Sequence, residues 1–159
     1  MKKKISVISL LIILFGLTTA CENNILYEKQ QAINNSVWQY NDVKTFKFKS
    51  FDSIQPVNIS LNLRTTTDYP YSNIWLKTTF NYPNGNADTS TVEYFLCEPS
   101  GKWLGQVSGT VIENKALLTQ GYLVDTGFYS ISIQQAMYEN SLPEVLDVGL
   151  KVERLELKN

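Results

Sequence analysis

The chain has 159 residues, a formal charge of −1, 43% hydrophobic and 18% charged residues, and no histidine. That length supports one domain with a sizeable core, and the absence of any basic patch argues against a nucleic-acid partner. Without histidine there is no Ser-His-Asp or Cys-His nucleophile and no histidine metal site.

The N-terminus comes first in chain order and carries the clearest signal. Lys2, Lys3 and Lys4 precede an apolar run of about 13 residues from Ile5 to Leu17, followed by Thr18-Thr19-Ala20-Cys21. The run is short of the ~20 residues that span a bilayer, and the lysines are retained on the cytoplasmic side. Ala20 is small, as a signal peptidase requires just before its cut. Residues 1–20 therefore read as a lipoprotein signal peptide, with Cys21 as the acylated residue held in membrane lipid. Thr18 stands where the strongest lipoprotein signals have Leu. The alternative is an ordinary secretory signal cut near Ala20, with Cys21 incidental. Removing residues 1–20 leaves 139 residues and takes the formal charge to −4.

Residues 21–36 are polar, rich in Asn and Gln, and read as a flexible tether; a short helix over 27–33 is the alternative. Residues 37–159 then form a single domain of strands. In 45–51, Phe46 and Phe48 alternate with Lys47 and Lys49. In 57–64, Val57, Ile59, Leu61 and Leu63 share one face, with Asn58, Ser60, Asn62 and Arg64 opposite. Period two with one apolar face marks a half-buried strand. In 73–82, Ile74, Leu76, Thr78, Phe80 and Tyr82 oppose Trp75, Lys77, Thr79 and Asn81. Pro83-Asn84-Gly85-Asn86 predicts a hairpin turn. Val92, Tyr94 and Leu96 continue the pattern before a turn at Pro99-Ser100-Gly101.

The Gly-punctuated stretch 101–111 predicts a short strand with a bulge, and 116–124 predicts another strand. Tyr129, Ile131 and Ile133 alternate, as do Val148, Leu150 and Val152; the phase slips near Arg154, which predicts a bulge or a strand end. Residues 134–143 read as a connection or a helical turn. About eight mainly antiparallel strands with turns between them predict an all-β fold, a two-sheet β-sandwich or jelly roll.

No catalytic residue, metal site or cofactor is expected. The carboxylates lie mostly at strand ends and turns, where turn chemistry accounts for them. Asn84-Gly85-Asn86-Ala87-Asp88 offers alternating oxygen ligands but lacks the spacing and terminal acid of an EF-hand, so it reads as a hairpin connection. Cys97, in a strand-like run, reads as a buried structural thiol. Tyr69, Tyr71, Trp75 and Trp103 lie near loops and are candidate contacts for a protein partner or, by stacking, for a glycan; the alternative is packing at sheet ends.

Several segments carry a resemblance. They are Phe46-Lys47-Phe48, Leu63-Arg64-Thr65-Thr66 leading into Tyr69-Pro70-Tyr71-Ser72-Asn73-Ile74, Gly101-Lys102-Trp103-Leu104-Gly105, and the run from Leu142-Pro143-Glu144 to Gly149-Leu150. In order and spacing the chain resembles the gliding motility lipoprotein GldH family of the Bacteroidetes over most of its length. One departure is Met137-Tyr138, where the family pattern leads one to expect an arginine after the Met.

The resemblance implies a non-enzymatic accessory lipoprotein of the outer membrane. It would work beside other gliding-motility lipoproteins or envelope proteins and be linked to type IX secretion. It offers no catalytic residues to carry over. A glycan-binding surface lipoprotein is the alternative function. Asp52-Ser53-Ile54 also resembles the acceptor pattern of Bacteroidetes periplasmic O-glycosylation, which makes Ser53 a candidate modification site.

The lipid reading has a direct check. Cys21→Ser should move the protein from the membrane to the soluble fraction on cell fractionation; retention in the membrane pellet would refute acylation at Cys21.

Overall fold

The computed structural model describes residues 24–52 and 54–155. The signal peptide, Cys21 and Ser53 lie outside the described residues. In chain order the strands are β1 (Ile25–Ala32), β2 (Val37–Gln39), β3 (Lys44–Ser50), β4 (Gln55–Thr66), β5 (Asn73–Asn81), β6 (Ala87–Phe95), β7 (Gln106–Ser108), β8 (Val111–Leu123), β9 (Gly127–Gln135), β10 (Ser141–Pro143) and β11 (Val145–Arg154). The fold is all-β, as the alternation predicts, with eleven strands rather than about eight among the described residues.

A five-stranded sheet in the order β1-β11-β4-β8-β7 faces a four-stranded sheet in the order β3-β9-β5-β6. Every pairing within them is antiparallel. The core is the layer between them. Val57, Ile59, Leu61 and Leu63 of β4 and Val148, Leu150 and Val152 of β11 meet Phe46, Phe48, Ile74, Leu76, Ile131 and Ile133 from the facing sheet, all buried. This is the sandwich that two one-sided sheets form to remove their apolar faces from water. β2 and β10 pair separately and close one end, setting Trp38 opposite Leu142, both fully buried. The Trp38 indole N–H donates to the Asp42 carbonyl at 2.8 Å, so the buried ring leaves no donor unpaired.

The sandwich is closed along one side. β1 lies over β3. The ammonium of Lys44 donates to the Ala32 carbonyl at 3.0 Å and pairs with Asp42 at 2.9 Å, and Gln31 Nε2 donates to the Thr45 carbonyl at 2.8 Å. The Tyr27 and Phe48 rings meet there at 5.6 Å. On the opposite side β6 is an edge strand, and β7 covers only Val111, Ile112 and Glu113 of β8.

The tether expectation is corrected for its greater part. Residues 25–32 form β1, paired along β11 from Ile25↔Glu153 to Ala32↔Asp147, and Ile33 is buried in the core. No period-two signal marks them because β1 is an outer strand with only Tyr27 and Gln31 half-buried. Of residues 134–143, read as a connection or a helical turn, 134–135 end β9 and 141–143 form β10, so the connection is only 136–140 and holds no helical turn. The buried Gln135 organises it: its Oε1 accepts from the Met137 N–H at 2.8 Å and its Nε2 donates to the Glu139 carbonyl at 2.9 Å. β11 ends at Arg154, where the hydrophobic phase slips.

Phe46→Ala should cost about 3–5 kcal/mol in urea denaturation, because the ring is fully buried between the sheets. Lys47→Ala, on the outward face of the same strand, should stay within about 0.5 kcal/mol.

Candidate functional site

The two loops that stand out in the sequence meet in the structure. β4 ends at Thr66, and the chain turns through Tyr69-Pro70-Tyr71 into β5. The Ser72 carbonyl at the end of that turn accepts from the Leu96 N–H at 2.7 Å and the Cys97 N–H at 3.1 Å. The chain then folds back: the Glu98 N–H donates to the Lys102 carbonyl, Cys97 bridges to Trp103, and the Leu104 N–H returns to the Leu96 carbonyl at 2.8 Å. Gly105 lets this loop press onto β8, since a Cβ there would lie 2.6 Å from the Glu113 carbonyl oxygen.

Leu63-Arg64-Thr65-Thr66 and the run 142–150, which also carry the resemblance, meet at this end too. Arg64 of β4 donates through Nε to Asp147 Oδ2 of β11 at 2.8 Å and makes a second contact through Nη2. The Thr66 hydroxyl and N–H both donate to Glu144, to its carboxylate and its carbonyl. Asp147 is buried and Arg64 partly exposed, so the guanidinium brings charge-assisted bonds to Oδ2 of a carboxylate that water does not reach.

The candidate contact residues separate in space. Tyr69 is buried at 4% exposure, and its hydroxyl donates to the Asn73 carbonyl at 3.1 Å. The expectation that Tyr69 offers its ring to a partner is corrected: the ring packs into the core and edge-on to Tyr71 at 5.8 Å. Tyr71 and Trp103 are half-buried against the core. Trp75 is the exception, exposed on the outward face of β5, with its backbone N–H beside Met137 Sδ. The four rings do not form one exposed platform.

The open surface here takes Ser72 and Leu104 from the two loops and adds Phe95, which lies outside both. A depression of about 490 Å³ is lined by Ser72, Phe95, Cys97, Glu98, Pro99 and Leu104. Phe95 is 64% exposed and Leu104 55%. The signal for Phe95 was its phase: it breaks the alternation of Val92, Tyr94 and Leu96, so it projects on the opposite face from them. Cys97 is half-buried rather than buried, and burial pushes its thiol above the ordinary 9.0, away from nucleophilic thiolate at neutral pH.

A family model described as GldH lipoprotein matches residues 25–152, from the first residue of β1 into β11. The chain belongs to the GldH lipoprotein family. Among curated proteins, this GldH-family chain is 32% identical over 151 residues to a "Gliding motility lipoprotein GldH homolog" of Christiangramia forsetii, covering 90% of each. It is 28% identical over 142 residues to "Gliding motility lipoprotein GldH" of Flavobacterium johnsoniae, covering 85% of this chain and 88% of that one. Among solved structures, TmCBM61 in complex with β-1,4-galactotriose overlaps 82% of this chain and 88% of its own at 10% identity, with a TM-score of 0.31, an overlap that carries no argument.

Tyr69 makes the stability of this GldH-family fold depend on alkaline pH. Burial, then the neighbouring Tyr71, raises its phenol well above the ordinary 10.0. Below pH 10 folded and unfolded chains both keep the proton, and stability is flat through this group. Above it the unfolded chain ionises first, so stability falls as pH rises. Tyr69→Phe should lose about 1 kcal/mol at neutral pH, for the bond to Asn73, and show a shallower decline above pH 10. Tyr27, Tyr82 and Tyr94, also raised by burial, add to the decline, as do Cys97, raised by burial, and Lys151, raised by its bond to Glu153. Urea titrations across pH check both effects, and an unchanged alkaline slope would remove Tyr69 from the account.

Proposed function

We propose that this protein is an outer-membrane lipoprotein, anchored through Cys21, that acts without catalysis as an accessory or assembly component of the gliding motility and type IX secretion machinery. One observation carries the reading: the family match spans residues 25–152, nearly the whole described domain, and relatives that cover 85–90% of this chain are named for gliding motility. The surface supports it. The knitted loop end presents Phe95 and Leu104 around an open depression, a form suited to an apolar anchor from another envelope protein. The free edge of β6 is a second place where a partner strand can add to the sheet. The alternative, a glycan platform of Tyr69, Tyr71, Trp75 and Trp103, gains nothing from the geometry, because Tyr69 is in the core and two of the others pack against it.

Deleting the gene in its native cell should abolish colony spreading and reduce secretion of type IX cargo, with both restored by the wild-type copy. A copy carrying Phe95→Asp and Leu104→Asp should be made and anchored normally but restore neither. Normal spreading and secretion in the deletion strain would refute the reading.

A further inference from the structure

The end of the sandwich opposite the knitted loops has its own apolar surface. The connection from β3 to β4 (residues 51–54) and that from β8 to β9 (residues 124–126) both cross from one sheet to the other at this end. They run side by side, because β3 pairs with β9 through Ser50↔Gly127 and β4 pairs with β8 through Gln55↔Leu123. Two such crossovers would ordinarily be polar. Here Phe51, Ile54, Tyr122, Val124 and Phe128, on or flanking them, are 55–76% exposed. The Lys49 ammonium lies 4.9 Å from the Phe51 ring and 5.6 Å from the Phe128 ring, so those two rings share one cation. Apolar side chains scattered singly over a surface are ordinary, whereas a group of them on adjoining loops marks a contact.

The chain itself says what covers this group. β1 begins at Ile25 at the same end: the Arg154 N–H donates to the Asn24 carbonyl, and the Leu155 N–H donates to the Pro56 carbonyl beside the 51–54 crossover. Only four residue steps separate Cys21 from Ile25, a span of at most about 14 Å. The 12 residues of β4 measure about 40 Å along the sandwich. A lead shorter than the domain is long holds this end toward an acylated Cys21 and keeps the knitted loops away from it.

We propose that this end of the sandwich rests on the lipid bilayer surface, with Phe51, Ile54, Tyr122, Val124 and Phe128 entering the headgroup region. Aromatic rings with a flanking lysine suit that zone: the rings take the apolar boundary while the ammonium stays among phosphates. Acyl chains and this patch are then two membrane signals on one protein, and the knitted loops face outward. The proposal rests on acylation at Cys21.

The test uses the acylated full protein in a Cys97→Ser background, reconstituted into vesicles of phosphatidylethanolamine and phosphatidylglycerol. Intact mass first establishes the acyl chains, so failure of the lipid reading is seen separately. A bimane probe is placed in turn at Phe51→Cys, Phe128→Cys and, as the outward control, Val107→Cys. Nitroxide-labelled lipids should quench the probes at 51 and 128 at least threefold more than the probe at 107. Equal quenching at all three positions overturns the proposal. So does shielding of 51 and 128 from aqueous iodide without lipid quenching, which would assign the patch to a second copy of the chain.

Discussion

The single apolar layer between the two sheets is the constraint on which the rest of the molecule depends. β4 sits between β11 and β8 and contributes an unbroken row of buried residues to that layer from Gln55 to Thr65. β9 answers it from the facing sheet with Tyr129, Ile131 and Ile133. Because both rows are set by strict alternation, a one-residue slip of either strand would turn its apolar set to solvent. The register of β4 therefore fixes where its two ends emerge, and with them the positions of the crossover loops and of the knitted loops. The surfaces proposed to matter are thus positioned by the layer between the sheets.

The sandwich is also unequal from side to side. Lys44 and Gln31 stitch β1 to β3 along one edge, where a buried ammonium is tolerated because a carbonyl and a carboxylate both receive it. The other edge is left as β6, most of whose side chains are exposed on both faces. Its sequence, rich in Thr, Ser, Asp and Glu, keeps that edge soluble without blocking its backbone, as native edge strands must unless something pairs with them. The asymmetry leaves one side committed to the chain's own fold and the backbone of the other open to pairing.

Much of the fold was legible because half-buried strands announce themselves. The alternation in β3, β4, β5 and β9 located strands and inward faces together, and the Asn84-Gly85 turn appears as a hairpin in which Asn84 Oδ1 accepts from the Asn86 N–H. What escaped was whatever lacked a period. β2 and β10 have three residues each, too few to alternate. β1 is an outer strand whose polar residues look like linker. At the surface, the more exposed apolar side chains are Phe95 and Leu104 rather than Tyr69, Tyr71 and Trp103. Tyr69 looks like a loop residue in the sequence, yet the turn at Pro70 tucks its ring inward, and residue type cannot distinguish a ring offered to solvent from one closing a core.

The pairing of β1 has a mechanical meaning. A load entering at the N-terminus and resisted at the knitted loops would run along the strand axes. Seven residue pairs join β1 to β11, from Ile25↔Glu153 to Ala32↔Asp147. Pulled lengthwise, those pairs share the tension at once, as in a lap joint, whereas a peeling force would open them one by one. The first strand of the domain is thus oriented to carry traction along its length rather than to peel.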